Sequence, residues 1–98
     1  MYRHIVLFWL QEPTKENLTL AKEKLQSLEG KIEGLLSCEV AIDALHSERS
    51  CDLCLHMVFA SREALDAYRT HPAHIPVQKH MHAVRSKSFS ADYPIESM

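Results

Sequence analysis

The stretch from Tyr2 to Leu10 constrains the fold most. It is dense in Ile, Val, Leu, Phe and Trp and holds neither Gly nor Pro, so it reads as a β-strand. Alternate residues of a strand point to opposite faces. One set is Tyr2, His4, Val6, Phe8 and Leu10; the other is Arg3, Ile5, Leu7 and Trp9. Both are largely apolar, so whatever this chain builds must cover the strand on both sides.

The remaining pattern supplies only one cover. Pro13 and Thr14 open a helix in which Leu18, Ala21, Leu25, Leu28 and Ile32 recur at three- and four-residue steps, with Lys15, Glu16, Lys22, Glu23 and Lys24 on the wet side. Gly34 is placed for a left-handed turn into the next strand. A second strand spans Leu36 to His46, with Leu36, Cys38, Val40, Ile42 and Ala44 on one face. A polar connection leads to a third strand, Cys51 to Ala60, whose Leu53, Leu55, Met57 and Phe59 share a face. Ser61 caps a short helix reaching Tyr68, Pro72 opens another that runs to about Met81 with Thr70 or His71 as its cap, and His82 to Tyr93 forms the last strand. The order β-α-β-β-α(α)-β predicts an α+β, ferredoxin-like antiparallel sheet with helices on one face. The second apolar face of the first strand then predicts a homodimer, two sheets meeting to make an α/β barrel, with Ile5, Leu7 and Trp9 on the dimer side.

Length and charge remove several functions. At 98 residues the expectation is one domain, and a net charge of −2 with no basic face speaks against nucleic acid as a partner. No stretch approaches the roughly 20 apolar residues of a membrane span. The start, Met1-Tyr2-Arg3-His4, lacks a small-residue cleavage pattern, and three cysteines form no even disulfide framework, so the chain is expected in the cytoplasm. Two glycines leave no phosphate-cradling loop, and serine-nucleophile and dinucleotide motifs are missing.

The residues with chemistry collect at one corner, Ala64 to His74. Ala64, Leu65 and Tyr68 share a helical face, and Pro72 forces His71 out of the α region. The kink carries a phenol, which can donate a proton to a developing oxyanion, and imidazoles on His71 and His74, either of which can accept one. Other constellations are weaker. Cys51-x-x-Cys54 sits on a strand, where residues three apart face opposite ways, and no second cysteine pair completes a zinc site. Seven histidines include His71-x-x-His74 and His80-x-His82, but no carboxylate is spaced with them, so neither a metal nor another cofactor is expected.

Several segments are similar to the stress-responsive A/B barrel (Dabb) family: His4-Ile5-Val6-Leu7-Phe8, Ile32-Glu33-Gly34-Leu35, Cys51 to Phe59, Ala67-Tyr68-Arg69-Thr70-His71-Pro72-Ala73-His74 and Asp92-Tyr93. The resemblance spans nearly the whole chain as a single Dabb domain, residues 1 to 98. It implies a dimeric α+β barrel and a small-molecule-binding, stress-response-type role for which no single activity is assigned. A plant polyketide cyclase of the family, which forms olivetolic acid by aldol condensation, implies the alternative of a cofactor-free lyase or cyclase. Carried onto this chain, its acid/base pair falls on Tyr68 and His74, with His4 and Asp92 as further candidate catalytic positions. The expected geometry is a His74–Asp92 hydrogen bond, with Tyr68 and His4 opening onto the same cavity. Ser86, Ser88 and Ser90 share a face with Asp92, which suits a more polar ligand than a long-tailed polyketide.

Overall fold

A computed structural model describes residues 1–98. The elements are β1 (Tyr2–Leu10), α1 (Lys15–Gln26), β2 (Leu35–Ile42), β3 (Leu53–Phe59), α2 (Arg62–Tyr68), α3 (His74–Val84) and β4 (Arg85–Pro94). The strands form one antiparallel sheet in the order β2-β3-β1-β4, so β1 is paired on both edges. This is the expected ferredoxin-like α+β architecture, with the helices packed on one sheet face.

That inner face is the core. Phe8 and Leu10 of β1, Cys38 and Val40 of β2, and Leu53, Leu55, Met57 and Phe59 of β3 are all buried. Leu18, Ala21 and Leu25 of α1 close over them, as the periodicity requires. Each large apolar side chain buried in this way contributes about 1.5–3 kcal/mol. Thr14 caps α1 by accepting from the Asn17 amide at 3.1 Å. The helix stops at Gln26, earlier than the stripe suggests, and Leu28 and Ile32 are buried from an irregular turn instead. The reason is visible in Gln26 itself. Its amide donates to the Cys38 carbonyl (2.6 Å) and accepts from the Val40 N–H (3.2 Å), so it occupies backbone groups on the free edge of β2.

Several points differ from the sequence pattern, among them the third strand, which is Leu53–Phe59 rather than Cys51 to Ala60. In β2 the register shifts between Leu35 and Ser37, leaving Leu36 as an extra residue that is 47% exposed; it does not join Cys38 and Val40. The strand also ends at Ile42, because the Asp43 carboxylate accepts from the His46 N–H at 2.6 Å and holds a tight turn in which His46 has φ 55°. The third helix begins at His74, two residues beyond Pro72. The N-cap position is Ala73, not the expected Thr70 or His71; His71 instead braces the turn before it, its carbonyl accepting from His74 and Ile75 and its ring Nδ1 from the Ala73 N–H at 3.0 Å. Pro76 then falls in the first turn of α3, where its missing N–H leaves no helix bond unmade. Finally, His82 belongs to the last turn of α3, and β4 starts at Arg85.

The opposite sheet face carries Ile5, Leu7 and Trp9. Phe89 pairs with Leu7 across β1 and β4, packs edge-to-face on Trp9 (5.5 Å between centroids) and is 61% exposed. The Lys87 ammonium lies 4.5 Å over the Trp9 ring. All three cysteines are free; Cys54 lies opposite Leu7, whereas the Cys38 thiol is buried against the Leu25 carbonyl.

Gly34 has φ 83°, and a Cβ there would lie 2.6 Å from the Ala64 Cβ; Gly30 has φ 81° but open space around it. Gly34→Ala therefore combines backbone strain with a clash and should cost about 2 kcal/mol or more, against about 1 kcal/mol for Gly30→Ala. Urea unfolding midpoints of the two variants measure the difference.

Candidate functional site

A cavity of about 290 Å³ lies between the sheet and the helices. Its floor is apolar, from Val6 and Phe8 of β1 and Leu55 of β3, and Val77 and Met81 of α3 and Leu25 of α1 add apolar wall. One flank is β4, with Ser88, Ser90 and Asp92. The roof carries Tyr68 and Arg69 from the end of α2 and His74, Gln78 and His82 from α3. All four candidate residues, His4, Tyr68, His74 and Asp92, line this one space.

Their pairing is not the expected one. Asp92 is bonded to His4, with 2.5 Å between its Oδ1 and the ring Nδ1, and not to His74. His4 and Asp92 are directly opposed in the β1–β4 register, which puts both side chains on the same sheet face. Directly opposed side chains have Cβ atoms only about 4.5–5.5 Å apart, so the carboxylate meets the strand imidazole first. His74 comes from the opposite wall. Its ring stacks on Tyr68, with centroids 4.0 Å apart and planes 28° from parallel. Its Nδ1 donates to the Arg69 carbonyl at 3.3 Å, which leaves Nε2 as the proton acceptor. Tyr68 is held further by edge contact with His4 (5.9 Å) and by Phe59 (5.2 Å). None of the side-chain hydrogen bonds of the site, His4–Asp92, His74–Arg69 and Arg85–Ser88, engages the Tyr68 hydroxyl.

Burial sets the protonation of this pair. It pushes the Tyr68 phenol well above its ordinary value, with a smaller contribution from Cys38, so the phenol stays a donor. It also pulls His74 down; the Arg69 and Tyr68 carbonyls oppose that shift, and positive charge on His4 or His71 would add to it. A protonated phenol and a neutral imidazole therefore face one cavity, an arrangement able to polarise a carbonyl and accept an adjacent proton.

Of the other histidines singled out in the sequence, His82 lines the cavity, His71 braces the turn before α3, and His80 lies outside the cavity, half-buried. No group of three His, Cys, Asp or Glu side chains is placed to hold a metal ion. Ser86 does not join Ser88 and Ser90, because the β1–β4 register shifts at Trp9/Leu10 and its hydroxyl turns to the Trp9 carbonyl. Arg69, Gln78 and Arg85 were not singled out in the sequence, and His82 was weighed only as a metal ligand, although for Gln78 and His82 a signal existed. Positions 74, 77, 78, 81 and 82 form one helical stripe, which α3 turns toward the cavity.

Two measurements check this geometry. A double-mutant cycle between His4→Ala and Asp92→Ala should show coupling of about 1–2 kcal/mol, whereas the His74/Asp92 cycle should give less than about 0.5 kcal/mol. The lowered value of His74 implies a second outcome. The folded state binds fewer protons there than the unfolded chain, so the contribution of His74 to stability is fully present above about pH 6.5 and is lost as pH falls through the folded value. A nuclear magnetic resonance titration should place the His74 midpoint below that of a free histidine, and His74→Phe should remove this part of the acid sensitivity.

The fold has counterparts. The stress-responsive A/B barrel domain family matches residues 2–95. A comparison with curated protein sequences gave no match. Among solved structures, a dimeric protein of unknown function and ferredoxin-like fold from Bacteroides fragilis superposes with a TM-score of 0.81 at 25% identity, over 96% of this chain and 95% of that one. A dimeric ferredoxin-like protein of unknown function from Thermobifida fusca gives a TM-score of 0.86 at 18% identity, over 96% and 90%. A Dabb family protein with a ferredoxin-like fold from Mesorhizobium loti gives 0.72 at 24% identity, over 98% and 97%. With the family matched from the start of β1 to the end of β4, the chain belongs to the stress-responsive A/B barrel domain family.

Proposed function

We propose that this protein is a small-molecule-binding homodimer whose ligand occupies the cavity between sheet and helices. The observation that carries the reading is the cavity of about 290 Å³ itself, with an apolar floor and converging polar groups. The dimer reading is supported by the outward-facing Ile5, Leu7, Trp9 and Phe89 and by the dimeric description of the Bacteroides fragilis relative. Two such faces brought together would give β1 the second cover that its composition demands.

A second reading is favoured by one contact, the stacking of Tyr68 on His74. In a cofactor-free cyclase or lyase, the Tyr68 hydroxyl would donate to a carbonyl oxygen while His74 Nε2 removes the adjacent C–H proton. The resulting enolate carbon would attack a second carbonyl of the same ligand, and the proton on His74 would pass to the new alkoxide; in a lyase the enolate would instead expel a β-leaving group, which would depart with that proton. Asp92 enters this scheme by holding His4, which packs against Tyr68, rather than by orienting His74.

Acetylacetone in deuterium oxide separates the two readings. Wild-type protein acting as a proton-transfer catalyst should accelerate exchange of its C–H protons; His74→Ala should lose that acceleration and Tyr68→Phe should reduce it at least about tenfold. Binding without acceleration leaves the first reading alone. Trp9→Asp should convert the dimer to monomer in sedimentation, by placing an unpaired charge in an apolar interface.

A further inference from the structure

We infer that Arg85 makes this cavity selective for a ligand with a carboxylate at the end remote from Tyr68 and His74. The inference rests on the cavity being the ligand site and adds the ligand's chemical class. Three observations carry it. First, Arg85 lines the cavity, is only half-exposed and takes part in none of the chain's ion pairs, which are His4–Asp92, Asp43–His46 and Arg62–Asp66. A half-buried guanidinium without a counter-charge favours an anion beside it. Second, it is held in place. Its Nη1 donates to the Ser88 Oγ at 2.8 Å, and its carbonyl accepts from the Gln11 side chain at 3.1 Å. Third, the surrounding charge has the right sign. Asp92 is the one carboxylate on the cavity wall; it lies at the Tyr68 end and is already bonded to His4, so no acidic side chain competes for Arg85.

The register gives the ligand its shape. Asp92 lies opposite His4, and Ser88 opposite Phe8, so the acid/base end and the Arg85 end are separated by about 13 Å of strand at about 3.3 Å per residue. Between them lie Val6, Phe8 and Met81, with the Ser90 hydroxyl on the β4 side. A short chain with a ketone at one end and a carboxylate at the other fits that sequence of surfaces. An arginine just past the end of α3 is also favoured there by the helix dipole, a purely structural role that would leave ligand charge without effect.

The test is a titration of the full chain with 7-oxooctanoate and with its uncharged methyl ester, read on the methyl resonances of Val77 and Met81. The acid should bind at least about tenfold more tightly, and raising the salt concentration should weaken the acid while leaving the ester unaffected. Arg85→Gln should bring the acid down to the affinity of the ester, and Arg85→Lys should keep part of the preference. Equal binding of the two compounds to the wild type, or a preference that survives in Arg85→Gln, overturns the inference and leaves the ligand-site reading standing. If neither compound moves these resonances, both fall. The wild-type comparison needs no variant, so a poorly folding Arg85→Gln does not decide the matter.

Discussion

Everything in this molecule hangs from the pairing of β1 on both of its edges. β3 and β4 lie on either side of it, and its two faces feed two different surfaces. The inner face supplies Phe8 and Leu10 to the core and His4 and Val6 to the cavity. The outer face supplies the Ile5, Leu7 and Trp9 row. A slip of one residue would exchange these sets, sending His4 outward and Trp9 into the core, so register here is enforced by burial. The same register sets His4 opposite Asp92 and Phe8 opposite Ser88, which gives the cavity its polar end and its cationic end.

Desolvation acts on the two stacked rings in opposite directions with a complementary result. It penalises whichever form is charged, and so keeps the phenol of Tyr68 protonated and the imidazole of His74 unprotonated. One physical effect thus prepares both a donor and an acceptor, without a carboxylate on His74. Asp92 is occupied at the sheet, where its bond to His4 braces a ring that touches Tyr68 from the side. A carboxylate beside His74 would favour its charged form and work against its use as a base at neutral pH.

Turn bracing and edge protection also shape the site from outside it. His71 spends its ring nitrogen and its carbonyl on the start of α3, which fixes where His74 begins the helix and hence which residues follow at cavity-facing steps. Gln26 covers the free edge of β2 and anchors the end of α1, whose Leu25 contributes to the cavity wall.

Much of this was legible residue by residue. The alternation in Tyr2–Leu10 and Leu53–Phe59, the stripe from Leu18 to Leu25, the Thr14 and Ser61 caps and the left-handed Gly34 are local signals, each complete within a few residues, and they determined the element order and the inward aim of Tyr68. The extra residue at Leu36, the start of α3 at His74 and the displaced Ser86 were not legible, because each depends on how one segment sits against a neighbour. The same holds for the site. The His4–Asp92 bond joins groups 88 positions apart in the chain, and it follows from the β1–β4 register rather than from any spacing in the sequence. The family resemblance named four candidates, and local periodicity could aim Tyr68 and His4 at the space between sheet and helices; only the sheet register and the packing of α3 decided that Asp92 serves His4, that His74 stacks on Tyr68, and that Arg85 faces the cavity without a counter-charge.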